Sequence, residues 1–93
     1  MLTSHTLFEQ KDTMTSLDKM SPGQKGKLVG FTGDTLIARR LTEMGLAPGR
    51  EITYLRKAPL RDPIVVRVGG GVYSLRQIDA AQISVELERE IVG

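Results

Sequence analysis

The spacing of apolar residues changes several times along the chain, and each change marks an element. Lys27-Leu28-Val29-Gly30-Phe31 follows the turn pair Pro22-Gly23 and reads as a first strand. Gly33-Asp34-Thr35 then resets the period, because Ile37, Leu41 and Met44 recur at i, i+4 and i+7. That spacing predicts one short helix with these three residues on its buried stripe. Asp34 is placed to cap the helix, since its carboxylate can accept from the first free amides, and Gly45 suits the left-handed residue that ends it. Arg39, Arg40 and Glu43 fall off the stripe.

Pro48-Gly49 prepares a second strand entrance. Glu51–Lys57 is rich in Ile, Thr, Tyr and Leu, and Ile64–Val68 is β-branched, so both read as strands joined across Ala58-Pro59-Leu60-Arg61-Asp62-Pro63. Gly69-Gly70-Gly71 separates the latter from Val72–Leu75 at hairpin spacing, where the turn needs a positive φ. Arg76 to Ala81 predicts a single helical turn. Ile83, Val85 and Leu87 alternate with Gln82, Ser84 and Glu86, the period of two of a half-buried last strand. Five short strands, one helix inserted after the first and no β-α-β spacing predict a mainly β fold, a small antiparallel barrel closed or nearly so. The expected boundaries are a flexible N-terminal extension at 1–16, the barrel at 17–87 and a charged tail at 88–93.

Composition narrows the chemistry. The 93 residues fit one domain, with 40% hydrophobic content enough for a single small core. There is no Cys, which removes disulfides, thiolate zinc sites, iron–sulfur clusters and cysteine nucleophiles. The single His, His5, lies in the polar opening, so a Ser-His-Asp relay or a histidine metal site is poorly supplied. No apolar run approaches the ~20 residues needed to span a bilayer, and the opening lacks the pattern of a secretory leader. A cytosolic chain that is not an enzyme is the expectation.

The local motifs have structural readings. Gly69, Gly71 and Ser74 do not complete a G-x-G-x-x-G pattern, and Gly26-Lys27 lacks both the earlier glycine and the following hydroxyl of a phosphate loop. No cofactor site is expected. Asp34, Asp62 and Asp79 resemble scattered metal ligands less than turn residues that bond backbone amides, so no metal site is expected. The excess of 13 Lys and Arg over 11 Asp and Glu is small, and two Tyr with two Phe give little stacking surface, so nucleic acid is the second choice of partner. The rigid, proline-bracketed loop presents Leu60 and Arg61, either as a contact surface or with Leu60 covering the barrel end.

In order along the chain stand Leu17…Pro22-Gly23, Arg40-Leu41…Met44-Gly45-Leu46…Pro48-Gly49, Ala58-Pro59-Leu60…Asp62-Pro63 and Leu75-Arg76…Asp79-Ala80…Ile83…Val85-Glu86. From about Leu17 to Glu86 this string resembles the FeoA family, ferrous iron transport protein A. The resemblance implies an SH3-like barrel, also found at the C-terminus of iron-dependent repressors. It further implies a cytoplasmic adaptor, peripheral to the inner membrane, that contacts the cytosolic region of an FeoB-type ferrous iron transporter. A repressor role would require a helix-turn-helix, which the polar residues before Leu17 do not supply. One departure is Arg61, where the family usually has Gly. On this reading the partner surface is Arg39, Arg40, Leu60 and Arg61, and the membrane is reached only through the partner. Self-association stays open, and the alternative is an SH3-like RNA- or ribosome-associated module.

Overall fold

The computed structural model describes residues 13–33, 35–60 and 62–88. Six strands form one antiparallel sheet: β1 (Met14–Ser16), β2 (Lys25–Phe31), β3 (Glu51–Lys57), β4 (Ile64–Val68), β5 (Gly71–Leu75) and β6 (Ile83–Leu87). Their spatial order is β1-β6-β2-β3-β4-β5. A 3-10 turn, Leu17–Lys19, follows β1; the helix α1 (Thr35–Glu43) joins β2 to β3, and the short α2 (Gln77–Ala80) joins β5 to β6. The result is the mainly β, SH3-like architecture expected, with one strand more. β1 is that strand. It is invisible in the sequence because Met14-Thr15-Ser16 is too short to show alternation, and pairing with Glu86, Val85 and Ser84 of β6 defines it instead.

Two register shifts bend the sheet into a barrel. β2 advances from Leu28 to Gly30 while β6 moves only from Val85 to Ser84, and β3 advances from Tyr54 to Arg56 while β4 moves from Val66 to Val65. An extra residue on one strand sharpens its twist and coil, which lets a short sheet wrap its own core. That core includes Leu17, Leu28, Ile52, Tyr54, Ile64 and Val85, all with 0% exposure. The alternation at the end of the chain is realised as expected: Ile83 and Val85 are buried and Leu87 packs against the core.

β2 begins two residues earlier than the hydrophobic pattern suggested. Gly26, just outside the strand drawn from Lys27, is a buried strand residue, and a Cβ there would stand 2.5 Å from Val85 Cγ1 and 2.7 Å from the Glu86 carbonyl. β6 crosses at that point closely enough to demand glycine.

The helix stripe is corrected at its end. Leu41 is buried and Ile37 half-buried, but Met44 is 43% exposed and Leu46 takes its place in the core. Gly45, at φ 110°, carries the chain through a left-handed turn. Its N–H donates to the Thr42 carbonyl at 3.0 Å and that of Leu46 to the Leu41 carbonyl at 3.0 Å, a Schellman ending with Leu46 packed beside Leu41 in the core. Tyr73 of β5 fixes this end by donating its hydroxyl to the Met44 carbonyl at 2.8 Å. Asp34, the expected cap of α1, lies outside the described residues.

Candidate partner-binding surface

The loop between β3 and β4 is held at both ends. The Ala58 N–H donates to the Pro63 carbonyl at 2.9 Å, closing the loop on itself. Asp62 accepts from the Gln77 N–H at 2.7 Å, so its carboxylate satisfies a free amide at the start of α2. Pro59 and Pro63 restrict φ on either side. Between these ties Leu60 is 89% exposed. Leu60 therefore does not cover the barrel. Arg61 lies outside the described residues.

Arg39 and Arg40 are exposed on α1, off the side that carries Leu41. Leu36, 73% exposed, is one helical turn before Arg40 on the same outward side. α2 contributes Ile78, 65% exposed, one residue beyond the Gln77 amide that Asp62 holds. The Asp62–Gln77 hydrogen bond thus ties the β3–β4 loop to the helix that carries Ile78. Sequence reasoning missed Ile78, because a four-residue helix shows no period from which an outward face can be read. Its signal was the apolar side chain between Gln77 and Asp79, followed by the small core residue Ala80.

The carboxylates do not converge. Asp79 is buried beside Arg76, with Arg76 Nε 3.5 Å from its Oδ2, while Oδ1 has no hydrogen-bond partner. It pairs with a side chain rather than bonding a backbone amide as anticipated. Asp62 is committed to α2, and Asp34 lies outside the described residues. Among the described residues no group of three or more His, Asp or Glu is placed to hold a metal ion. His5 lies outside them. No helix among them is long and apolar enough to cross a membrane.

The FeoA domain family matches residues 15–87. The chain belongs to the FeoA family. A curated relative from Porphyromonas gingivalis, an Fe(2+) transport protein A/Fe(2+) transporter FeoB fusion protein, is 39% identical over 71 residues, covering 76% of this chain and 8% of the relative. The chain thus spans less than a tenth of that relative's length. The solution structure of an FeoA-like protein from Clostridium acetobutylicum superposes with a TM-score of 0.77 at 32% identity, over 87% of this chain and 94% of the other. A zinc complex of FeoA from Stenotrophomonas maltophilia superposes with a TM-score of 0.68 at 27% identity, over 81% of this chain and 96% of that one. That protein is described as a prokaryotic SH3 domain protein and put forward as a ferrous iron transport activating factor. FeoA membership and the fused relative support a role in ferrous iron transport.

Proposed function

We propose that this FeoA protein is a non-enzymatic accessory factor of ferrous iron uptake that acts by docking on the cytosolic region of an FeoB-type transporter. The observation that carries this reading is the Porphyromonas gingivalis relative, in which transport protein A is joined to FeoB in one chain. Covalent fusion holds two modules at high effective concentration, and separate chains must replace it with a contact surface. The docking surface in this reading is the exposed pair Leu60 and Ile78, with Arg39 and Arg40 on α1 and Arg61, the neighbour of Leu60 in sequence. Leu60 and Ile78 provide apolar anchors, and the exposed guanidiniums of Arg39 and Arg40 provide planar, forked donors for carboxylates. The protein works on the cytoplasmic side and reaches the membrane only through its partner.

The test is binding of the purified chain to the transporter's cytosolic region, measured by calorimetry. Leu60→Ala with Ile78→Ser is expected to weaken binding at least tenfold, because truncated interface anchors commonly cost ~2 kcal/mol or more. The thermal midpoint should stay nearly constant, since both side chains are exposed. Unchanged binding in this variant and in Arg39→Ala with Arg40→Ala would remove the surface from the mechanism. Absence of binding by the unaltered chain would remove the adaptor reading itself.

A further inference from the structure

β5 is an outer strand without the usual protection. The sheet order leaves β1 and β5 at its edges. β1 has three residues; β5 has five, paired to β4 without a register shift. Because Val68 faces Gly71 across the Gly69-Gly70 turn, that pair is hydrogen-bonded, and the alternation of an antiparallel ladder turns the N–H and C=O of Val72 and Ser74 away from β4. These outward groups face no other strand among the described residues. Exposed edges are normally blunted by charges, prolines or bulges. Gly71-Val72-Tyr73-Ser74-Leu75 contains no charge and no proline, and the register shifts of the sheet lie elsewhere. Val72 is 57% exposed and Ser74 is exposed as well.

The surroundings of this edge carry one dominant sign. Arg67 stands opposite Val72, with its side chain exposed on the same face. Arg50 reaches over the hairpin turn, its Nη1 only 2.9 Å from where a Cβ on Gly69 would sit. Arg50, Arg67, Thr53 and Glu51 line a shallow depression beside the hairpin. Neither guanidinium has an ion-pair or hydrogen-bond partner among the described residues. Glu51, the acid of that depression, faces Lys27 in the register of β2 and β3.

We propose that β5 accepts an extended acidic segment of a partner protein as a seventh strand. Backbone pairing to Val72 and Ser74 supplies the affinity, and acidic side chains at alternate positions on the outward face engage Arg67 and Arg50. A second copy of this chain is the poorer occupant, because pairing β5 with its equivalent would gather two sets of the same cations on one face. The edge runs the length of β4, with Val72 and the two arginines at the Gly69 end, away from the β3–β4 loop, and the proposal stands independently of which transporter the protein serves.

The probe is a short dye-labelled peptide alternating valine and glutamate, titrated with the full chain by fluorescence anisotropy. It is expected to bind about tenfold more tightly than its valine–lysine counterpart. Arg67→Glu should reverse that preference. Val72→Pro deletes an outward N–H without removing a bond to β4, the position at which an edge strand tolerates proline, and should cost about tenfold in affinity with the thermal midpoint retained. If that variant does not fold, the same peptide N-methylated on the amides that face β5 takes its place, and retained binding would overturn strand addition. Equal affinity for the glutamate and lysine peptides would overturn the acidic specificity. Dimerisation without peptide, abolished by Arg67→Glu or Val72→Pro, would assign the edge to a second copy and overturn the proposal, as would equal displacement of the peptide by an oligouridine.

Discussion

Tyr54 has its ring in the middle of the core and a hydroxyl that is buried without a hydrogen-bond partner. Burial disfavours the phenolate, and the negative charge of Asp18 adds to this, so the pKa is raised above the ordinary 10.0. As pH rises above ~10 the unfolded chain releases this proton while the folded one retains it, and stability falls with pH in that window. Tyr54→Phe removes both the orphaned donor and the titration. It is expected to raise stability by about 1 kcal/mol, or ~4–8 °C in thermal midpoint, and to flatten part of the alkaline decline above pH ~10. Differential scanning calorimetry at neutral and alkaline pH checks it; a lower midpoint at neutral pH would show that the hydroxyl is satisfied. Val85 and Ser84 give a sharper contrast. Val85→Asp places an unpaired charge in the core and is expected to unfold the domain, whereas Ser84→Asp, half-buried on the other face, should cost less than ~1 kcal/mol by urea titration. This register was legible in the sequence because three apolar and three polar residues alternate without interruption; the solitary polar atom on Tyr54 was not, because a tyrosine in a strand looks the same with or without a partner for its hydroxyl.

At the scale of elements, legibility followed the strength of the local signal. The β4–β5 hairpin, the ending of α1 at Gly45 and the turn of α2 were all readable, since glycine and periodicity fix them locally. The stripe was carried one turn too far at Met44 because counting i+7 ignores that Gly45 reverses the chain and hands the core position to Leu46. Gly26 shows the opposite failure, a glycine left outside the first strand because the strand that crowds it is 60 residues away in sequence. Two substitutions separate these causes. Gly26→Ala would push a methyl into the Glu86 carbonyl and Val85, and is expected to cost about 1–3 kcal/mol in urea denaturation. Gly30→Ala, in the same strand with nothing within 4 Å of the new methyl, should change stability by less than ~0.5 kcal/mol. Equal costs would mean that strand flexibility, not the approach of β6, sets the requirement for glycine.

For the whole molecule, two prolines around Leu60 announce a presented side chain and Leu60 is exposed, while nothing local announces the Asp62–Gln77 bond that ties this loop to the helix carrying Ile78, a contact between distant segments. The same limitation concealed β1. Its residues contribute one exposed Met and two half-buried hydroxyl residues, so they announce nothing by themselves, yet they cover the edge of β6 through the pairs Met14↔Glu86, Thr15↔Val85 and Ser16↔Ser84. The Leu87 N–H extends this pairing to the Thr13 carbonyl at 2.7 Å. Without β1, those backbone groups of β6 turn to water and the Val85 side of the core loses its neighbour. Several strand hydrogen bonds, each worth ~0.5–1.5 kcal/mol net, amount to about 2–4 kcal/mol, a large fraction of the stability of so small a domain. A chain that starts at Leu17 is therefore expected to unfold at lower urea than one that starts at Thr13, and to keep its affinity in the calorimetric test of the proposed transporter contact at temperatures where both are folded. Equal urea midpoints would show that β1 is an ornament of the sheet. A loss of affinity in the folded shorter chain would instead bring the β1 edge into the docking surface.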